Sequence, residues 1–222
     1  TSTKPFVTLK MAMTEEGLIG SSQTGNLKIS GPVALGVTHL VRARHDAILV
    51  GSLTASIDDP SLDCRLPGLE NRSPIRIILD AKSRLTDKNF VVSSATKLPT
   101  IVVAPPDAPQ EWKQMLISNG VQILSCEMHD GKIALPELLD DLAARGIQSV
   151  MVEGGARIAE SFVHDELVDE IILHVGGNPQ KPDKPSSGVY STFTPNSLPE
   201  GFKVCQSLRF GADTSLRIHK SG

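Results

Sequence analysis

The sequence predicts an α/β fold: a mixed, mostly parallel sheet flanked by helices and closed by a C-terminal hairpin. Short apolar runs rich in Val and Ile recur as far as Val175 and read as strands buried on both faces. Amphipathic stretches with capping and stop residues lie between them, the alternation of a parallel sheet crossed by helices. Beyond residue 188 the helical signals end, and two β-rich runs flank a glycine.

The elements follow in order. Phe6–Met11 is the first strand. Ser30 caps a helix that carries Pro32 in its first turn and runs to about Arg44. Ala47–Val50 is wholly apolar, as a central strand requires, and Ile75–Leu79, Thr100–Ala104 and Val121–Leu124 follow. A helix over Pro109–Asn119 stops at Asn119-Gly120. Another over Pro136–Arg145 places Leu138, Leu139, Leu142 and Ala143 on one face and stops at Gly146. Strand Ser149–Val152 enters a helix after Gly154-Gly155 that runs to about His164, and Glu170–Val175 is the last buried strand. Residues 176–188, rich in Gly, Pro, Lys and Ser, read as a loop, and Phe202–Leu208 with Thr214–His219 form a hairpin around Gly211. With no internal repeat and no dividing linker, residues 1–222 read as a single domain.

Composition narrows the function classes. Lys plus Arg is 22 and Asp plus Glu is 25, a net charge of −3, which argues against a nucleic-acid binder. Aromatic residues are 4% of the chain, too few for a platform that stacks bases. Cys64, Cys126 and Cys205 lie far apart, without metal-ligand spacing, so reduced thiols in the cytoplasm are expected and no metal. No apolar run reaches the roughly 18 residues of a membrane span. The start at Thr1, without Met or the apolar stretch of a signal peptide, leads us to expect a trimmed chain or one part of a longer polypeptide.

Three constellations carry chemistry. In Val150–Arg157 a buried strand delivers Glu153, then Gly154-Gly155 opens a helix whose free N–H groups suit a phosphate. On spacing alone the segment is as much a plain strand-to-helix turn. In Asp46–Thr54, followed by Asp58-Asp59-Pro60 and Arg65, a strand delivers glycine, hydroxyls and carboxylates, with an arginine fit for a phosphate. The plainer alternative is an Asx-Pro turn beside a surface arginine. Lys10 closes a β-run; in a central strand it suits acid–base work, and on an edge strand it blunts aggregation. His39, His45, His129 and His219 accompany no nucleophile motif and read as packing or surface residues.

These residues resemble a known family, the reductase domain of riboflavin biosynthesis. Leu9-Lys10-Met11-Ala12, Ile29-Ser30-Gly31-Pro32, Arg42-Ala43 with Asp46–Thr54, Asp58–Arg65, Pro74–Asp80 and Val152–Gly155 follow the family's blocks in order. The resemblance implies a dihydrofolate-reductase-like fold, NADPH as cofactor and a homodimer. The substrate it implies is 5-amino-6-(5-phosphoribosylamino)uracil, reduced at the ribosyl C1′. Ala12, Lys28, Thr54, Asp58, Ala81, Gly155, Ala156, Arg157 and Ile158 match cofactor-binding positions. Asn26, Arg42, Leu62, Arg65 and Glu153 match substrate-binding positions, and Lys10 matches the strand lysine. Lys10 and Glu153 are the candidates for proton transfer and charge stabilisation. Lys82 and Arg84 are placed by charge to hold the adenosine 2′-phosphate.

The chain also departs from the family. Asn26-Leu27-Lys28 replaces a segment that often holds an aromatic, Thr14-Glu15-Glu16-Gly17 stands for S-x-D-G, and Gly176-Gly177 replaces a Pro…Leu-Gly segment. The zinc signature of a deaminase is absent, so a zinc deaminase domain is expected as a fusion or a partner, never within this chain. The alternative within enzymes is another NADPH-dependent pyrimidine or pterin reductase; outside them, a nucleotide-binding module.

Overall fold

The computed structural model of the chain describes residues 4–15, 17–21, 31–153, 155–176, 188–190, 194 and 196–221. In order, the elements are β1 (Phe6–Thr14), β2 (Leu18–Ser21), α1 (Pro32–Ala43), β3 (Ala47–Gly51), α2 (Ser52–Asp58), β4 (Ile75–Leu79), α3 (Phe90–Ser93), β5 (Thr100–Ala104), α4 (Gln110–Ser118) and β6 (Gln122–Ser125). They continue with β7 (Met128–His129), β8 (Lys132–Ile133), α5 (Leu135–Ala144), β9 (Ser149–Val152), α6 (Ala156–His164), β10 (Glu170–Gly176), β11 (Gly188–Tyr190), β12 (Phe202–Phe210) and β13 (Asp213–Lys220). They group into two compact units, one of Thr1–Phe6 with His39–Gly155 and one of Val7–Thr38 with Ala156–Gly222.

The first unit is built on five parallel strands in the order β9-β3-β4-β5-β6. Every residue of β3 and β5 is buried, which explains their unbroken apolar sequence. Helix α5 turns Leu138, Leu139 and Leu142 into the core, each worth about 1.5–3 kcal/mol of burial. It ends where Gly146, at φ 82, takes the left-handed turn and Ile147 N–H donates back to Leu142 O at 3.1 Å.

Arg76, on β4, is wholly buried, and among the described residues no carboxylate lies within ion-pair distance of it. Its guanidinium donates to Thr100 Oγ1 (3.0 and 2.6 Å), Ser94 Oγ (2.9 Å), Val91 O (3.1 Å), Leu98 O (2.8 Å) and Ser61 O (3.4 Å). Burial lowers its pKa to about 10, so it stays charged at neutral pH.

In the second unit β1 runs parallel to β10, and β10-β13-β12 is antiparallel. The β12–β13 pair turns at Gly211, at φ 64, where a residue with a side chain is strained. Glu170, buried at the start of β10, accepts from Arg217 Nε (2.5 Å), Thr8 Oγ1 (3.2 Å) and His219 Nε2 (2.9 Å).

The expected mixed, mostly parallel sheet with helices and a C-terminal hairpin is present. Strands Ile75–Leu79, Thr100–Ala104 and Ser149–Val152 fall on the predicted residues. Several elements exceed the prediction: β2, α2, α3, β11 and the β7–β8 hairpin. Helix α2, Ser-Leu-Thr-Ala-Ser-Ile-Asp, is weak in helix formers and reads as loop, yet it is the crossover that leaves β3. The β7–β8 hairpin turns on Asp130-Gly131, both at positive φ (50 and 72), and this Asp-Gly pair was its signal. Ser30 and most of the predicted 176–188 loop lie outside the described residues.

Candidate active site

Because β3, β4 and β9 are parallel and in register, their C-terminal ends share one edge of the first unit's sheet. Open α/β sheets bind ligands at that edge. The end of β3 passes through Gly51 into α2, which carries Thr54 and Asp58, both half-buried. Burial pushes the Asp58 carboxyl pKa up. The end of β4 leads to Asp80 and Ala81, and the end of β9 to Glu153 and Gly155. A Cβ on Gly155 would stand 3.2 Å from Thr54 Oγ1, so this glycine keeps a close gap open.

Glu153 is held from both ends. Its N–H donates to Leu49 O at 2.9 Å, which extends the β3–β9 ladder by one residue. Its Oε2 accepts from Arg42 Nε at 3.1 Å and from Arg42 Nη2, and both side chains are only 12% exposed. Arg42, in the last turn of α1, also donates through Nη1 to Asp63 O at 3.0 Å. The guanidinium thus joins the end of β9 to the loop 61–65.

That loop carries two further predicted residues. Leu62 is buried in the left-handed region at φ 55, a strained conformation for a bulky side chain. The Arg65 side chain is 66% exposed, with Nε 3.5 Å from Asp63 Oδ1. Ser61 Oγ donates to the same Asp63 oxygen at 2.6 Å. His39 Nδ1 lies 3.2 Å from Asp63 O and 3.3 Å from Arg65 N.

The loop after β4 is organised by Asp80, whose Oδ2 accepts from Arg84 N (2.8 Å) and Leu85 N (2.9 Å). Trp112 Nε1 donates to Leu85 O at 2.9 Å, and Asp59 Oδ1 accepts from Phe90 N at 2.7 Å. These ties leave Lys82 and Arg84 exposed.

In the second unit, Lys10 and Ala12 point to one face of β1, each half-buried, opposite Ile172 and His174 of β10. Ala156, Arg157 and Ile158 form the first turn of α6, with Arg157 exposed. Asn26, Lys28 and Gly154 lie outside the described residues. Among the described residues no group of three or more His, Cys, Asp or Glu is placed to hold a metal, and no helix is long and apolar enough to cross a membrane.

The structure therefore brings Thr54, Ala81, Glu153 and Gly155 to one sheet edge, leaves Asp58 at the far end of α2, and ties Arg42 to Glu153 and to the loop of Leu62 and Arg65. The sequence reading missed His39 and Asp63. His39 precedes Arg42 by three residues, so both share a face of α1, and that spacing was its signal.

Comparison with known proteins shows the family. The family model described as the RibD C-terminal domain matches residues 5–177. The chain is 36% identical over 168 residues to the riboflavin biosynthesis protein RibD of Bacillus amyloliquefaciens, covering 75% of this chain and 44% of that protein. It is 31% identical over 175 residues to the 2,5-diamino-6-ribosylamino-4(3H)-pyrimidinone 5′-phosphate reductase of Aquifex aeolicus, covering 77% of this chain and 75% of that one. Among solved structures, Acinetobacter baumannii RibD superposes with a TM-score of 0.77 at 25% identity, over 100% of this chain and 59% of that one. The Saccharomyces cerevisiae riboflavin biosynthesis reductase Rib7 gives a TM-score of 0.73 at 26% identity, over 99% and 91%. The chain spans about half the length of the RibD relatives it matches.

Proposed function

From a chain that belongs to the RibD C-terminal domain family, we infer an NADPH-dependent reductase of riboflavin biosynthesis. Its substrate is 5-amino-6-(5-phosphoribosylamino)uracil, reduced at the ribosyl C1′ to the ribitylamino product. The observation that carries this reading is the fixed Arg42–Glu153 pair at the end of β9, joined to the Leu62–Arg65 loop and set beside the Gly155–Thr54 gap.

The residues present fit the cofactor. Gly155 lacks the Cβ that would crowd Thr54, Ala81 follows the end of the neighbouring strand β4, and Asp58 closes the helix that carries Thr54. The resemblance alone assigns Ala156, Arg157 and Ile158 to the cofactor; they form the first turn of α6, and the amides of a helix start favour a pyrophosphate. Lys82 and Arg84 supply two exposed cations for a 2′-phosphate, which selects NADPH over NADH. NADPH, when bound, supplies the hydride.

The chain's own residues bind and activate the sugar. Arg65 is the more open guanidinium and takes the 5′-phosphate, with Arg42 behind it. Glu153, paired with Arg42, stabilises the positive charge that forms at C1′ and the glycosylamine nitrogen. As the C1′–O4′ bond breaks, its electron pair goes to O4′, which takes a proton from Lys10, the assignment given by the resemblance.

Residues 1–222 act as one reductase domain, fused to or paired with a zinc deaminase domain and located in the cytoplasm. A homodimer completes the reading. Along β12 every residue from Lys203 to Arg209 is exposed, on both faces of an edge strand, and that edge suits a second copy.

The test is NADPH consumption with the phosphoribosylamino-pyrimidine in its amino and oxo forms. Turnover on the oxo form, and little with NADH, is expected. Lys10→Met and Glu153→Gln should lower kcat far more than they raise the KM for NADPH. Turnover of a dihydropterin in place of the phosphorylated substrate would overturn the assignment.

A further inference from the structure

We infer that His39 is a positioning residue: its Nδ1 accepts the main-chain N–H of Arg65 and so sets the stretch of loop that presents the Arg65 guanidinium to a phosphate. The inference rests on the reading above and assigns a role to a residue that reading leaves unused.

The hydrogen-bond balance around the ring decides the assignment. Asp63 O lies 3.2 Å from Nδ1, and the Arg65 N–H is aimed at the same nitrogen from 3.3 Å. In a neutral imidazole one nitrogen donates and the other accepts. With the proton on Nδ1, Asp63 O would receive two donors while the Arg65 N–H faced another N–H. With the proton on Nε2, Nδ1 accepts from Arg65, and Asp63 O keeps the Arg42 Nη1 donor at 3.0 Å. Only the second arrangement satisfies both backbone groups.

The rest of the loop is tied in the same way. Cys64 Sγ donates to His39 O at 3.4 Å, and Cys64 N donates to Ser73 Oγ at 3.0 Å. Arg76 Nη1 reaches Ser61 O at 3.4 Å. Ties at 61, 63, 64 and 65 enclose Leu62, whose left-handed backbone persists only when its surroundings over-determine it. The tie nearest the exposed guanidinium is the one that ends on His39.

The charged groups that face the ring are Arg42 on its own helix, and Arg65 and Asp63 on the loop. Burial and the two guanidiniums hold the imidazole pKa below its ordinary value, while Asp63 opposes them. At neutral pH the ring is therefore neutral and able to accept. Below its lowered pKa both ring nitrogens donate, an N–H opposes the Arg65 N–H, and the tie opens.

Two substitutions separate positioning from bulk. In His39→Asn the side-chain Oδ1 takes the place of Nδ1 as acceptor and does not titrate. In His39→Leu the acceptor is gone. At neutral pH, H39L should raise the KM for the phosphorylated substrate roughly tenfold, about the worth of one hydrogen bond, with kcat and the KM for NADPH within about twofold of wild type. H39N should keep the wild-type KM. As pH falls below 6.5 the wild-type KM should rise more steeply than that of H39N, since the titration of the substrate phosphate, with its second pKa at about 6, is common to both. Amide exchange by NMR should show the Arg65 N–H protected in wild type and H39N, and open in H39L. An H39N enzyme as impaired as H39L, an acid rise equal in wild type and H39N, or a wild-type KM in H39L would each overturn the inference. Arg65 protection that ignores His39 overturns it whatever the turnover, whereas a wild-type enzyme inert toward the substrate overturns the reading beneath it.

Discussion

Replacing Arg42 by methionine should cost the first unit about 3–5 kcal/mol, the usual penalty for removing one partner of a sheltered ion pair. Two opposite charges about 4 Å apart attract by about 4 kcal/mol at an effective dielectric constant near 20. Both side chains here are 12% exposed, so water screens the pair less than it would a surface pair. The substitution takes two donors from the Glu153 carboxylate and one from Asp63 O. Glu153→Gln is milder, because the amide oxygen still accepts from Arg42; about 1.5–3 kcal/mol is expected for the lost charge assistance. In the double variant neither charge is left without its partner. Its destabilisation should fall short of the sum of the single changes by at least about 1.5 kcal/mol. Urea unfolding of the four proteins, at low salt and in about 1 M NaCl, measures this, and a sheltered pair should keep most of its coupling in salt. Additivity within about 0.5 kcal/mol, or coupling that vanishes in salt, would refute the reasoning.

Three further outcomes are expected. The Asp63 carboxylate stands 3.5 Å from an Arg65 side chain that is 66% exposed, and so competes with an incoming phosphate. An exposed pair of this kind is worth about 0.2–1 kcal/mol, so Asp63→Asn should lower the KM for the phosphorylated substrate up to about fivefold and leave the KM for NADPH unchanged; a raised substrate KM would count against the phosphate role of Arg65. Asp58 carries a raised pKa through burial, so the folded chain prefers it protonated, and the penalty appears as pH rises from the unfolded value of 3.8 through the folded one. Asp58→Asn should thus raise the thermal midpoint at neutral pH, leave it unchanged well below pH 3.8, and weaken NADPH binding in titration calorimetry. Gly155→Ala places a Cβ 3.2 Å from Thr54 Oγ1, and should raise the KM for NADPH with little loss of stability in thermal melts.

Much of the fold was legible because burial on both faces leaves a plain mark. The apolar runs in β3, β5 and β9 mark strands buried on both faces, and Gly146 and Gly120 mark the ends of α5 and α4 through their positive φ. Helix α2 was illegible because its hydroxyl-rich sequence lacks helix formers, and tertiary placement after β3 overrides that propensity. In the site, Glu153 and Gly155 stood out because a carboxylate and a glycine follow a buried strand. The pairing of Glu153 with Arg42 left no mark, since the partners are 111 positions apart. The spacing of His39 to Arg42 places both on one face of α1, but its role depends on a backbone amide 26 residues away, which no side-chain pattern records.

Arg76 has a practical consequence for any survey of substitutions. At 0% exposure it cannot touch a ligand, yet five oxygens from Ser61 and from residues 91–100 converge on its guanidinium. Lysine cannot serve as a replacement, because a single ammonium cannot fan out to oxygens disposed around a planar fork. A screen scored by turnover alone would group Arg76 with the groups that handle the sugar, although its loss acts by letting the segments around it drift apart. Scoring soluble yield alongside turnover separates this internal keystone from the residues that meet the reactants.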